Sequence, residues 1–543
     1  MTYAGFLLVS TLAFPLVLAL VCVKVRTLAG IFPLLPLAPV PGLLAAIFAP
    51  GGMLVLAPAP MRVTLALDSA GAVLLGGAAF LWMCAGFYVR GYMRDDPGIR
   101  SFAIAWLLTL AGSLGVFLVA DIASFYMVFA LVSLCAYGLI SHEGTPRAGR
   151  ASLIYMILAI VGEAFLLLAF VMLATVTGQG NPQIADAVAM ISASPWRDPV
   201  VCLLILGFGL KMGLFPLHVW MPLAHPVAPM PASAVLSGIV VKAGVIGLIR
   251  FLPFQSGLPV WGAVLMALGF GTAFYAVAVG ILQKHPKTVL AYSTISQMGF
   301  IAAVAGAGLA AGDMATGSLA AFYALHHMLV KGALFLGVGV AAATGKRRFA
   351  ALLLPCAVLS LSLAGLPFTS GALAKFAAKE LFGSGFISTL AMISAVGSAL
   401  LMLHFMTLLS GFGKAEADVR PPRGIVLPWA MVAGASIIVP FVLFEPVTGY
   451  TAPATFTLPA LWKSVAPILL GGAFALLLTR YDRRLPVIPE GDIVVIAEAA
   501  VPGVLRFGDA MGRADVFLRR WPIAGIMLVG TAIALGAALR QIS

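Results

Sequence analysis

Charge is what this sequence has least of. Only 9% of its 543 residues are Asp, Glu, Lys or Arg, against 62% hydrophobic, which excludes a soluble globular domain and fits a polytopic membrane protein. Acid is the scarcer sign, with 19 Asp and Glu against 32 Lys and Arg and a formal net charge of +13. In a soluble chain that excess would suggest nucleic acid. Here the basic residues sit in short connections between apolar runs, so they report membrane topology and no nucleic-acid partner. The five cysteines, Cys22, Cys84, Cys135, Cys202 and Cys356, stand singly in apolar segments without CxxC spacing, so no disulfide or metal site is implied. A Gly-rich phosphate loop after a strand and a Ser/His/Asp constellation in an extramembrane domain are also lacking. No catalytic residue, cofactor or metal is expected of this chain by itself.

What is present is apolar length. Stretches of about 20 apolar residues recur from end to end, and roughly sixteen spanning helices are expected in an all-α membrane protein. Every basic cluster falls after an odd-numbered span: Lys24 and Arg26; Arg90, Arg94 and Arg100; Arg147 and Arg150; Lys284 and Lys287; Lys346, Arg347 and Arg348; Lys414, Arg420 and Arg423; Arg480, Arg483 and Arg484. The positive-inside rule places these loops in the cytoplasm and both termini outside. The N-terminal run has its positive charges after the apolar stretch, as a first spanning helix does and a cleaved signal does not. The Pro- and Gly-rich region from Phe32 to Met61 predicts an irregular or kinked second span. Leu67 and Asp68 open the third, and the polar stretch from Gly178 to Arg197 belongs on the outer surface. Residues 489–520 mix apolar side chains with Glu498, Arg506, Asp509 and Arg513. That pattern predicts an amphipathic helix along the membrane surface, with a disordered linker as the alternative. A final span, Trp521 to Leu539, follows.

The most informative stretch runs from Lys211 to Arg250. It puts Lys211 inside an apolar run, breaks that run at Pro216, crosses an elbow with His218 and His225, and re-enters an apolar run holding Lys242. An unpaired charge at the bilayer centre costs roughly 2.5–3.5 kcal/mol, so such residues face a protein interior or a water-filled path; the alternative for each lysine is a snorkelling anchor. Glu163 lies at mid-span on the preceding apolar run, where a carboxylate needs a cationic partner or a proton. Lys211 is the expected partner, either as a titrating pair or as a static ion pair. Further on, His327 and Lys331 are four residues apart and share a helix face, and His326 serves packing or relay equally well. A second break, at Pro367 and Gly371, precedes Lys375, Lys379 and Glu380, and His404 lies in the following span. Two Gly/Pro-interrupted segments in corresponding places point to an inverted repeat with a conduction site at the breaks. Histidines and buried lysines can pass protons through intervening water.

At these residues the sequence resembles the antiporter-like subunits of respiratory complex I, the Mrp cation/proton antiporters and the membrane-bound energy-converting hydrogenases. The resemblance rests on Lys211, the elbow Pro216-Leu217-His218-Val219-Trp220-Met221-Pro222, then Ala224-His225, Lys242 and Arg250, with LAYSTISQMG from Leu290, His327 with Lys331, and the segment ending at Lys375. It implies a prokaryotic inner-membrane subunit with two inverted five-helix repeats, helices 7 and 12 broken. Domains are expected over 1–100, 101–253 (first repeat), 257–413 (second repeat) and 414–543. It further implies a proton path through Glu163, Lys211, Lys242, His327, Lys331 and Lys375, with His218, His225, Lys379, Glu380 and His404 as secondary candidates. Expected partners are other membrane subunits, the lipid bilayer, and protons or sodium, with the driving force supplied by a redox partner or an ion gradient. The alternatives are a proton-path subunit that energises an inorganic-carbon uptake complex, and a degenerate structural paralogue. One departure favours these: where the family places Trp-Glu seven residues before a tyrosine, this chain has Phe129-Ala130 before Tyr137. His285 is also followed by Pro286, where hydrogenase-type relatives have Asp.

Overall fold

The computed structural model describes residues 2–24, 32–57, 62–412, 419–481, 486, 488–518 and 530. The chain forms two units, Met1–Glu490 and Gly491–Ser543. The first contains α1 (Tyr3–Lys24), α2 (Val40–Phe48), α3 (Ser69–Tyr92), α4 (Ile99–Gly115), α5 (Ile122–Ile140), α6 (Pro146–Thr177), α7 (Ile184–Ile191) and α8 (Arg197–Met212). It continues with α9 (Trp220–Val227), α10 (Met230–Val235), α11 (Lys242–Phe251), α12 (Pro259–Gly280), α13 (Pro286–Ala311), α14 (Thr316–Ala342), α15 (Lys346–Ala364), α16 (Ser370–Lys379), α17 (Phe386–Ser410), α18 (Arg423–Thr448) and α19 (Leu458–Tyr481). In the second unit α20 (Ile493–Leu518) is a single helix over most of 489–520, with Leu505, Met511 and Phe517 exposed. The expected final span, Trp521 to Leu539, lies outside the described residues.

Among the described residues, eleven helices are long and apolar enough to cross a membrane, and Phe32–Phe48, Ile99–Gly115 and Phe349–Ala364 are shorter apolar stretches. Their burial orders them. The apolar window of α14 is 100% buried, that of Met230–Phe251 94% and that of α13 89%, against 39% for α1, α6 and α17. Lipid-facing helices leave half their surface to the bilayer, so α10, α11, α13 and α14 form the inner column.

Two helices are interrupted in the same way. The α8 helix ends at Gly213 (φ +76°) and α15 at Gly365 (φ +100°), and in each the glycine amide returns to carbonyls of the last turn. Only glycine takes that left-handed cap freely. After the first break the Phe215–Pro216 peptide is cis. At the second, Phe368 holds a positive φ of 60°, a conformation that a bulky residue keeps only where its surroundings impose it. Gly371 is equally constrained, since a Cβ there would fall 1.6 Å from the Ser362 carbonyl oxygen.

The region from Phe32 is a 3-10 turn (Phe32–Leu37) leading into the short α2, after which the chain makes an antiparallel pair, β1 (Met53–Ala57) and β2 (Val63–Ala66). The β2 strand meets the segment after α4: Ala66 N–H donates to Leu118 O and Ala120 N–H to Thr64 O. Asp121 is buried and accepts from Thr64 N, Ser124 N and Asn181 Nδ2. It thereby ties β2, the start of α5 and the segment before α7 together. The stretch from Gly178 to Arg197 thus contains a helix, α7, with an apolar face of Ile184, Ala187 and Ile191 turned inward.

Arg250 closes this end. Its guanidinium makes a two-pronged contact with Asp68, the N-cap of α3, at 3.0 and 3.1 Å, and donates to the carbonyls of Val116, Phe117 and Val119 at the end of α4. Replacing it by alanine leaves three carbonyls short of donors, a loss of about 1–3 kcal/mol that thermal unfolding in detergent should report. Burial alone would push the Asp68 carboxyl up, but the Arg250 guanidinium and the Gly71 amide hold it below the usual carboxylate range. A lowered folded pKa contributes stability that is complete above the unfolded value, about 3.9, and is lost as pH falls through the folded one. The destabilisation by Asp68→Asn should therefore be largest near pH 7 and shrink toward pH 3.

Candidate functional site

The expected first-half residues converge between α5, α6 and α8. Lys211, in the last turn of α8, is 3% exposed, and its Nζ donates to Ser133 Oγ at 2.8 Å and Tyr155 Oη at 3.3 Å. The same ammonium lies 5.6 Å from the centroids of the Phe129 and Tyr155 rings, within cation–π range. Glu163 is buried on α6, yet no direct ion pair joins it to Lys211 within 4 Å, and its Oε1 has no hydrogen-bond partner among the described residues. The expected pair is thus an indirect one. Ser133, one turn beyond Ala130 on α5, takes the position next to the lysine, and Tyr155 Oη donates onward to the Ser133 carbonyl.

Lys242 opens α11 after a π-helical turn, Leu236–Val240. The Ser237 carbonyl, inside that turn, accepts from Lys242 Nζ at 3.1 Å. The second partner is His327 on α14, with Nζ and Nδ1 2.6 Å apart. One of those nitrogens must accept for the contact to exist, so a single proton lies on the line between them. Ser237 Oγ reaches Thr294 Oγ1 at 2.7 Å, Thr294 donates to Leu290 O, and Lys331 Nζ donates to that same carbonyl at 2.9 Å. Ser237, through its carbonyl and its hydroxyl, and Thr294 therefore lie between Lys242 and Lys331, with no continuous hydrogen-bonded chain between the two ammonium groups among the described residues. His327 and Lys331, four residues apart on α14, reach Lys242 of α11 and the Leu290 carbonyl of α13 respectively.

His326 points the other way. Its Nδ1 is 2.8 Å from Ser370 Oγ at the start of α16, so it ties α14 to the second break. Beyond that break Lys375 Nζ donates at 2.8 Å to the carbonyl of Ala364, the last residue of α15, where the helix dipole favours a cation. Lys375, Lys379 and Glu380 line a cavity of about 180 Å³ together with Lys463 of α19. Tyr323 Oη, Gln297 and Ser398 form a further buried line across α14, α13 and α17, at 2.7 and 2.9 Å. His404 Nε2 meets the Gln283 carbonyl at 2.8 Å.

Of the elbow histidines, His218 is buried against Phe215 and Tyr275, with ring centroids 5.8 and 5.1 Å away. His225 is 0% exposed, packs 4.9 Å from the Phe335 ring, and has no hydrogen-bond partner for either ring nitrogen among the described residues. Lys287 is a correction to the topological reading. It is not a loop residue but a buried one on α13, where its ammonium holds the carbonyls of Pro226 and Ala228 at 3.2 and 2.5 Å. No potential metal-binding group of three or more His, Cys, Asp or Glu exists among the described residues.

A family model described as NADH:quinone oxidoreductase/Mrp antiporter, TM matches residues 119–402, more than half of the chain. Hydrogenase-4 component B of Escherichia coli is 33% identical over 291 residues, 51% of this chain and 43% of that protein. NADH-quinone oxidoreductase subunit N of Desulforudis audaxviator is 33% identical over 344 residues, 59% of this chain and 66% of that one. The chain thus spans less than two thirds of the length of these relatives. A Na(+)/H(+) antiporter protein of Bacillus subtilis is 28% identical over 70% of this chain and 80% of its own. In structure, the Mrp complex from Dietzia sp. superposes over 100% of this chain and 63% of that one with a TM-score of 0.79 at 22% identity. A chain of the archaeal membrane-bound sulfane sulfur reductase covers 87% of this chain and 99% of its own with a TM-score of 0.68 at 22% identity. The fold, the length matched and the antiporter-like subunits among its relatives agree: this chain is a polytopic membrane protein of the NADH:quinone oxidoreductase/Mrp antiporter transmembrane family.

Proposed function

We propose that the chain is the proton-translocating subunit of a multi-subunit membrane complex, with protons moving along Glu163, Lys211, Lys242, His327, Lys331 and Lys375. The observation that carries this is the set of partners. Lys211, Lys242, Lys331 and Lys375 donate only to hydroxyls, carbonyls and one imidazole, and among the described residues none has a carboxylate within 4 Å. A scaffold gains nothing from four buried ammonium groups without counter-ions. A proton path needs groups whose protonation can change at each step, with polar atoms left for water between them; Glu163 Oε1, His225 and His327 Nε2 are such atoms.

The two glycine-capped breaks support an inverted pair of five-helix repeats over 101–253 and 257–413, the broken helices being the seventh and twelfth of sixteen spans. With α2, α4 and the two broken helices the eleven become fifteen among the described residues, and the expected sixteenth, Trp521 to Leu539, lies outside them. We place the basic loops in the cytoplasm of a prokaryotic cell and both termini outside. The names of the relatives support a redox-driven partner complex or sodium/proton exchange as the coupled process.

Lys375 gives the test. In the assembled complex reconstituted in vesicles, Lys375→Ala should stop proton uptake while every subunit still co-purifies. Loss of assembly in its place would assign Lys375 to holding the second break closed.

A further inference from the structure

At the basic end of α3 and α18 the two backbones touch: a Cβ on Gly91 would lie 2.8 Å from the Gly424 carbonyl carbon. Beside this contact is an open cleft of about 710 Å³. Three arginines line it, Arg90 in the last turn of α3, Arg94 just beyond, and Arg423 as the first residue of α18. Its remaining lining is almost wholly apolar, with Phe87 one turn back along α3 and Leu427 and Met431 one and two turns along α18. Charge therefore sits at the helix ends, and the apolar residues run from there along both helices.

The three guanidiniums are also unengaged, unlike those of Arg100 and Arg147. Arg100 donates to the Cys22 and Val23 carbonyls and Arg147 pairs with Glu490, whereas Arg90, Arg94 and Arg423 have no hydrogen bond or ion pair to any described residue. The nearby Asp96 is occupied by His142 at 3.0 Å. Unpaired arginines present flat donor forks suited to phosphate oxygens, and a basic pocket between membrane helices matches an anionic headgroup.

We propose that this cleft is a binding site for an anionic phospholipid, its phosphate held by Arg90, Arg94 and Arg423 and an acyl chain lying along Phe87, Leu427 and Met431. A zwitterionic lipid carries its own cation into the cluster and binds more weakly.

The full-length chain, delipidated in mild detergent, is titrated with phosphatidylglycerol or phosphatidylcholine, and retained lipid is counted by native mass spectrometry. Phosphatidylglycerol should be retained at least about tenfold more tightly. The variant R90Q/R94Q/R423Q should lose that preference with an unchanged melting profile. If the triple variant does not fold, Leu427→Trp, which fills the cleft and keeps every arginine, should also reduce retention. Equal retention of both lipids, undiminished retention by the folded triple variant or by Leu427→Trp, or displacement of the lipid by millimolar inorganic phosphate overturns the proposal. So does recovery of a partner subunit seated on the cleft in place of lipid.

Discussion

Lys242→Met is expected to reduce proton translocation by the assembled complex by about tenfold or more while leaving its thermal stability unchanged or raised. Lys242 joins the two halves of the line. Its ammonium touches His327 at 2.6 Å and the Ser237 carbonyl, and Ser237 Oγ and Thr294 stand between it and the carbonyl that holds Lys331. Methionine has nearly the same length and no proton to pass. Because the site is 0% exposed and no carboxylate of a described residue lies within 4 Å of Lys242, removing the charge relieves a desolvation penalty. A structural lysine would show the opposite: lower stability and, where folded, normal flux. His327→Ala should give a loss of similar size. The double variant should be no worse than the weaker single one, because two residues sharing one proton form one link. Additive losses would show two separate routes and break the line at this point.

Lys211→Met should likewise stop first-half transfer, and Glu163→Gln should match it. The neighbouring hydroxyls grade the effect. Ser133→Ala and Tyr155→Phe each remove one hydrogen bond to Nζ, worth about 0.5–1.5 kcal/mol, so each should slow proton uptake by about two- to tenfold. Proton uptake by vesicles containing the intact complex measures all four. If Lys211→Met and Glu163→Gln both pump as the parent does, the first-half path is wrongly assigned. If Glu163→Gln alone is silent, the Ser133 and Tyr155 hydroxyls suffice, and the absence of a carboxylate at Ala130 needs no replacement.

A charge in hydrocarbon is visible in one dimension, because nothing else in an apolar run competes with it. That is why Glu163, Lys211, Lys242, His327, Lys331 and Lys375 stand out before any fold is known, and why two proline- and glycine-marked breaks can be located. Their partners are of another kind. Ser133 is 78 residues from Lys211 and His327 is 85 from Lys242, and a serine or tyrosine in a membrane helix looks the same whether it faces lipid or a lysine. The line of Tyr323, Gln297 and Ser398 is hidden for that reason.

Charge in a short loop misleads in the reverse direction. Lys287 reads as a topology marker beside Lys284, but two carbonyls released at the end of α9 draw it inside. The β1–β2 pair and the Arg250 clamp on Asp68 also depend on groups brought together from far along the chain. Composition and the spacing of apolar runs by themselves determined a helical membrane protein with titratable groups at its centre, since the bilayer penalises each charge wherever it stands. Which hydroxyl, carbonyl or imidazole receives each ammonium was decided only by the tertiary structure, because a hydrogen bond depends on ångström-scale distances that sequence separation does not encode.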